Sequence, residues 1–124
     1  MQKFVYLVVA GAAGTLARYG LAGLVHRIDG AWFPWGTLTV NLLGCLLAGL
    51  GWSLFEDRLA MPAQLRTIVL VGFMGAFTTF SAYILETGQL LRSSQWLAAA
   101  ANLLLQNILG LVALFGGAAL GRMF

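Results

Sequence analysis

The chain has 124 residues, of which 60% are hydrophobic and 9% charged, with a net charge of +3 and a mean hydropathy of +0.89. Soluble domains carry about 25% charged residues, so this is the composition of an integral membrane protein, with no room left for a soluble catalytic domain. The pI near 9.6 does not point to nucleic acid, because the seven basic residues are scattered and form no patch; they read as loop and interface anchors against a lipid bilayer.

The hydrophobic pattern predicts an all-α membrane protein, one domain over 1–124, with spans at about 4–25, 36–55, 65–91 and 96–120. The N-terminal apolar run outlasts the core of a signal peptide and reads as the first span. Ala10 and Gly14 are four apart, as are Ala13 and Ala17, so small residues line a face where another helix could approach closely. Arg18 interrupts this span late. Snorkelling to the headgroups is the commoner role for such a residue; the alternative is a positive charge at a pore mouth that attracts anions.

The connection after Val25 reads as a short loop, with Trp32 and Trp35 as interfacial belt residues. His26 is the only histidine and has no second metal ligand near it in sequence. In the second span, Asn41 needs a hydrogen-bond partner inside the bundle. It shares a helical face with Cys45 and Ala48, and Gly44 lies beside them. An interhelical hydrogen bond is the plainer role for Asn41; a pore-lining amide donor is the functional one. Cys45, the single cysteine, reads as a buried small hydrophobe.

The polar stretch from Glu56 to Arg66 predicts a loop, with Pro62 near the start of the third span. That span holds the most unusual sequence in the chain, GFMGAFTTFSAYILE from Gly72 to Glu86. Glycines and β-branched threonines are poor helix formers, and free backbone groups cannot face lipid. The expectation is a third helix broken near mid-membrane, with carbonyls and hydroxyls turned away from lipid. Glu86 is the span's only acid and reads as either a functional carboxylate or a solvated one near the interface.

Arg92 to Gln95 predicts a turn into the fourth span. There Asn102 and Gln106 are four apart on one face, Asn107 points elsewhere, and Gly117 and Gly121 form a GxxxG pair. With the N-terminus in the cytoplasm, Lys3, Arg58, Arg66 and Arg122 fall on that side, against Arg18, Arg27 and Arg92 on the other. Four against three hardly selects an orientation, so insertion both ways and an antiparallel dimer become an expectation.

GAAGTLARY (Gly11 to Tyr19), GTLTVNLLGC (Gly36 to Cys45) and GFMGAFTTFS (Gly72 to Ser81) together resemble the four-helix fluoride channels of the Fluc (CrcB) family, over essentially the whole chain. The resemblance implies a dual-topology homodimer in a bacterial inner membrane, with two pores that export fluoride passively. It implies that Phe80 and the aromatic at 83 offer ring edges to fluoride, that Asn41 donates to it, and that Ser81 lies by the pore. Arg18 is implied near the vestibule and Glu86 near a pore entrance. Asn102 and Gln106 are the candidates for a polar track on the fourth span. A structural Na⁺ on the dimer axis is implied at the backbone carbonyls of Gly75 and Thr78. The family's usual run after the paired threonines resembles Phe-Ser-Thr-Phe, whereas this chain has Phe80-Ser81-Ala82-Tyr83. One hydroxyl is lost and one phenol gained, a change that bears on throughput rather than on architecture.

Fluoride is small and strongly hydrated. Ring edges, amides and hydroxyls attract it moderately, and the sequence places no lysine or arginine at mid-membrane to hold it fast. Two other classes stay open: a proton-coupled small multidrug antiporter, which wants a deep carboxylate that the first span lacks, and a non-transporting assembly subunit. An enzyme is the least favoured class, since no nucleophile–base pair or metal cluster is visible.

Overall fold

A computed structural model describes residues 1–30, 32–57 and 61–124. The described residues form α1 (Gln2–Asp29), α2 (Trp35–Asp57), α3 (Ala63–Thr67), a π-helical segment (Ile68–Met74), α4 (Gly75–Phe77), α5 (Phe80–Arg92) and α6 (Trp96–Met123). Four stretches are long and apolar enough to cross a membrane: α1, Trp35–Glu56, the whole of Ala63–Arg92, and α6. The molecule is a multi-pass membrane protein with no strand among the described residues.

The helices overrun their predicted ends. His26, Arg27, Ile28 and Asp29, expected in a loop, complete the last turn of α1, and Glu56 and Asp57 stay in α2. At 1.5 Å per residue, the 28 residues of α1 extend about 42 Å. That matches the bilayer with its headgroups rather than its hydrocarbon core alone, so polar residues at the rim can remain helical. Gly30 then turns the chain at φ +71°, a conformation that suits glycine. Arg58, which the charge count placed on the loop-two side, lies outside the described residues. Arg66 of that side pairs with Glu56 at 3.4 Å, both exposed.

Backbone-to-backbone approach decides the packing. α2 and α6 form the most extensive pair. A Cβ on Gly49 would overlap the Leu114 carbonyl, and one on Gly117 would overlap the Leu46 carbonyl. Gly121 meets Ser53 in the same groove. The Gly117/Gly121 pair therefore serves an interface inside the chain. The small face of α1 also finds its partner: Ala10 lies against Gly72, and a Cβ on Gly14 would overlap the Phe73 carbonyl. Without a hydrophobic drive in lipid, such close contact supplies the dispersion energy that holds helices together. Gly14 is the only buried residue of α1. The rest of that helix exposes Phe4, Val8, Val9 and Leu16, which in a bilayer is hydrocarbon contact.

The third span changes neighbour as it crosses. Up to Phe77 it packs on α1, and from Phe80 onward on α6. Between them Thr78 (ψ 156°) and Thr79 (φ −146°, ψ 115°) are extended. Gly75 is itself helical at φ −62°, ψ −31°, so the departure from helix falls on the two threonines. The Thr79 hydroxyl then caps α5 by accepting from the Ala82 N–H at 3.2 Å.

Gly117→Val should lower the thermal midpoint of the detergent-solubilised protein clearly, by overpacking worth about 1–3 kcal/mol. Gly116→Val, at a position with nothing within 4 Å of an added Cβ, should leave it nearly unchanged. Equal midpoints for the two would disprove the close α2–α6 contact.

Candidate functional site

Where Thr78 and Thr79 leave helical geometry, their neighbours' backbone groups need partners. Asn41 supplies two of them. Its Oδ1 accepts from the Thr79 N–H at 2.9 Å, and its Nδ2 donates to the Thr79 carbonyl at 3.1 Å. The side chain thus pairs with both backbone groups of one residue, as a neighbouring strand would. Nδ2 also donates to Gln106 Oε1 at 3.0 Å. The Thr79 N–H can only donate, so it fixes which end of the Asn41 amide is oxygen, and that in turn fixes the Gln106 amide. Both Asn41 hydrogens are then committed. In this chain Asn41 ties α2 to the third span and to α6.

Gln106 is left half-used. Its Nε2 is buried and has no hydrogen-bond partner. An unmet buried donor costs about 1–3 kcal/mol, so this nitrogen is a position where an acceptor would be welcome. Gln106 is among the residues that line a cavity of about 410 Å³, with Asn41, Gly44, Cys45 and Ala48 of α2, Gly75, Thr78, Phe80 and Tyr83 of the third span, and Asn107 and Leu114 of α6. The α2 face predicted from Asn41, Cys45 and Ala48 is therefore a cavity wall, and Cys45 is half-buried there rather than sealed in a core. Phe80 and Tyr83 meet edge-on, with centroids 5.6 Å apart and planes at 66°. Tyr83 is buried at 6% exposure, whereas Phe80 stands 74% exposed at the cavity's outer side.

The fourth span contributes differently from expectation. Asn102 lines neither cavity. It is wholly buried and donates to Thr87 Oγ1 at 2.9 Å, and Thr87 donates to the Tyr83 carbonyl at 2.8 Å. This staples α6 to α5, and the register carries Asn102 one turn away from the cavity. Asn107, expected to point elsewhere, lines the cavity and donates to the Tyr83 hydroxyl at 3.1 Å. Gln106, four residues on from Asn102, lines the cavity, which faces the helix over an arc wide enough to take in the next residue too. Ser81 is exposed and lines neither cavity, because it sits on the face of α5 opposite Tyr83.

A second cavity of about 730 Å³ lies one helical turn further along α2 and α5, where Thr37 precedes Asn41 and Glu86 follows Tyr83. Arg18 and Glu86 both line it, with His26 and Gln89. Arg18 does not simply snorkel. Its Nε donates to the Ala76 carbonyl at 3.1 Å, so the guanidinium is anchored on the third span just before the extended threonines. Glu86 Oε1 accepts from Thr37 Oγ1 at 2.7 Å, and Oε2 is buried without a partner. Thr37 was not singled out by its sequence; an (i, i+4) relation to Asn41 was the available signal. The two cavities thus form a polar line: Arg18, Thr37 with Glu86, then Asn41, Tyr83, Gln106 and Asn107.

The model of the family described as CrcB-like protein, Camphor Resistance (CrcB), matches residues 5–118. A protein of Desulforapulum autotrophicum named fluoride-specific ion channel FluC is 60% identical to this chain over 122 residues, 98% of each. Proteins of the same name from Nitrosococcus oceani (56% identical, 94% of this chain and 93% of theirs) and Solidesulfovibrio magneticus (53%, 99% and 98%) are similar along nearly their whole length.

Asn41→Leu removes three interhelical hydrogen bonds at once and leaves the Thr79 peptide unmet. Thermal or denaturant unfolding should show a loss of about 2–4 kcal/mol. Gln106→Leu breaks one bond and removes an already unmet donor, so its loss should be about 1 kcal/mol or less. The reverse order would contradict the assignment of Asn41 as the tie.

Proposed function

The chain belongs to the CrcB family, and on that premise we propose that it is a fluoride-selective passive ion channel, not an enzyme, through which fluoride leaves the cytoplasm and its toxicity is relieved. The observation that carries this reading is a cavity lined by Gln106, whose buried Nε2 has no partner, together with the edge-on rings of Phe80 and Tyr83. An amide donor and positive ring edges suit a small anion. Among the described residues no lysine or arginine lines that cavity, so a fluoride ion is attracted without being captured, as conduction requires. Arg18, at the larger cavity, raises the local anion concentration before the narrow part is reached.

The third span reads here as a helix broken at membrane depth, with two antiparallel copies of the chain placing two such pores in one dual-topology homodimer. The near-even split of basic residues supports insertion both ways. A structural Na⁺ between the copies fits the backbone chemistry. In an unbroken helix the Gly75 carbonyl would accept from the Thr79 N–H, and the Thr78 carbonyl from the Ala82 N–H. Those two donors are given to Asn41 Oδ1 and Thr79 Oγ1 instead. Two carbonyls so released are oxygen ligands for a hard cation. The ion's charge would offset their burial.

In liposomes loaded with fluoride or with chloride, the purified protein should release fluoride and retain chloride. Gln106→Leu should slow fluoride release by about tenfold, the equivalent of one hydrogen bond to an ion. Equal release of the two anions by the parent protein would overturn the reading. Replacing Na⁺ by a bulky organic cation on both sides should suppress fluoride release if carbonyls of Gly75 and Thr78 hold a sodium ion; unchanged rates would dismiss the cation.

A further inference from the structure

Tyr83 is tied to α6 at both ends, through Thr87 and Asn102 at its carbonyl and through Asn107 at its hydroxyl. The second tie has a direction. Asn107 Nδ2 also donates to the Leu103 carbonyl, one turn back on its own helix, at 2.7 Å. A carbonyl can only accept, so the Asn107 nitrogen, not its oxygen, must occupy that corner. The same nitrogen faces the Tyr83 oxygen at 3.1 Å. Asn107 is therefore a donor to the phenol and cannot take the phenol's proton. No other acceptor among the described residues bonds that proton. The phenol is buried and its oxygen is already engaged; Tyr83 and Gln106 line the same cavity, and Gln106 Nε2 has no partner among the described residues.

We propose that Asn107 is a positioning residue which, by occupying the Tyr83 oxygen, turns the Tyr83 O–H into the cavity as a hydrogen-bond donor to the transported anion, with Gln106 Nε2 as the second donor of that subsite. The proposal rests on the fluoride reading above. An N–H donated to a phenol oxygen also polarises the O–H and strengthens its own donation, so loss of Asn107 acts on the anion through Tyr83 and not by itself. Where the resemblance leads one to expect a phenylalanine at 83, this chain has instead a hydroxyl and the residue that aims it.

The test is a sodium fluoride titration of the detergent-solubilised full chain, followed by the near-ultraviolet tyrosine difference spectrum, with sodium chloride as the control. Fluoride should give a saturable red shift that chloride does not. Tyr83→Phe should abolish it, although Tyr6 and Tyr19 remain. Asn107→Leu should keep the shift but raise the apparent Kd about 3- to 10-fold, the range of one neutral hydrogen bond. In liposomes the half-saturating fluoride concentration should rise likewise for each single variant. In the Tyr83→Phe background, Asn107→Leu should have no further effect, an outcome that general loss of folding would not give. No shift in the parent protein, a shift that survives Tyr83→Phe, a parent-like Kd for Asn107→Leu, or additive effects in the double variant would each overturn the proposal. A Tyr83-dependent shift without selective fluoride release would leave this subsite standing and remove the channel reading. Selective release without the shift would do the opposite.

Discussion

One pairing supports the rest of the site, the reciprocal hydrogen bonds between the Asn41 amide and the Thr79 peptide. A helix inside a membrane holds all its backbone bonds within itself, and any residue that leaves the helix must find other partners in protein. Thr79 leaves it, and Asn41 meets both of its backbone groups from α2. The Thr79 hydroxyl meanwhile starts α5, and Arg18 takes up the Ala76 carbonyl just before the departure. The third span can consequently run along α1 first and along α6 afterwards. That change of neighbour opens the space between α2 and the third span which becomes the inner cavity. Gly44 is part of the same device, since a Cβ there would overlap the Thr78 side chain.

Much of this was legible in the residues. Composition gave the spans. The Ala10–Gly14 pair marked the face that α1 offers to Gly72 and Phe73, and Asn41 with Cys45 and Ala48 marked a cavity wall. The anomalous run from Gly72 to Glu86 was visible as too polar and too aromatic for its place. What could not be read was which polar groups would be spent on one another. Asn102 and Gln106 are alike in type and share a face by spacing, yet one is a wholly buried staple left with an unmet acceptor and the other lines a cavity and is left with an unmet donor. Their roles diverge because Thr87 lies opposite the first and Asn41 opposite the second. No single-helix pattern contains that information. Asn107 was missed for a related reason. It faces the cavity from the neighbouring angle on α6, and only the position of Tyr83 on another helix gives it a task. The helix ends were misjudged because a loop of polar residues and a helical turn in the headgroup region share one composition.

Polar groups inside this bundle fall into two kinds. Asn41 has given both its hydrogens to protein acceptors, which adds rigidity. Gln106 has its oxygen held and its nitrogen free. An amide with neither end held could swing to meet an ion and swing back, at a cost in order each time. One end held by a rigid neighbour gives a donor already oriented, and preorganisation of that kind lowers the free energy of reorganising the site around a charge. The Asn41–Gln106 bond thus couples the structural tie to the cavity lining.

The same logic bears on the residues that depart from the family's usual run. At 82 a hydroxyl is absent, and the Ala82 side chain can neither donate to an ion nor compete for the Thr79 cap; only its backbone N–H takes part. At 83 a hydroxyl is present, held at its oxygen by Asn107. Position 82 does not line the cavity, whereas Tyr83 does, and its hydroxyl is bonded to Asn107 of α6. The ring edges keep their mutual geometry, Phe80 against Tyr83 at 66°, because a phenol has the footprint of a phenyl group with one added atom. A donor stronger than a ring edge deepens the local well for an anion, and the step out of that well then sets how fast the ion moves on.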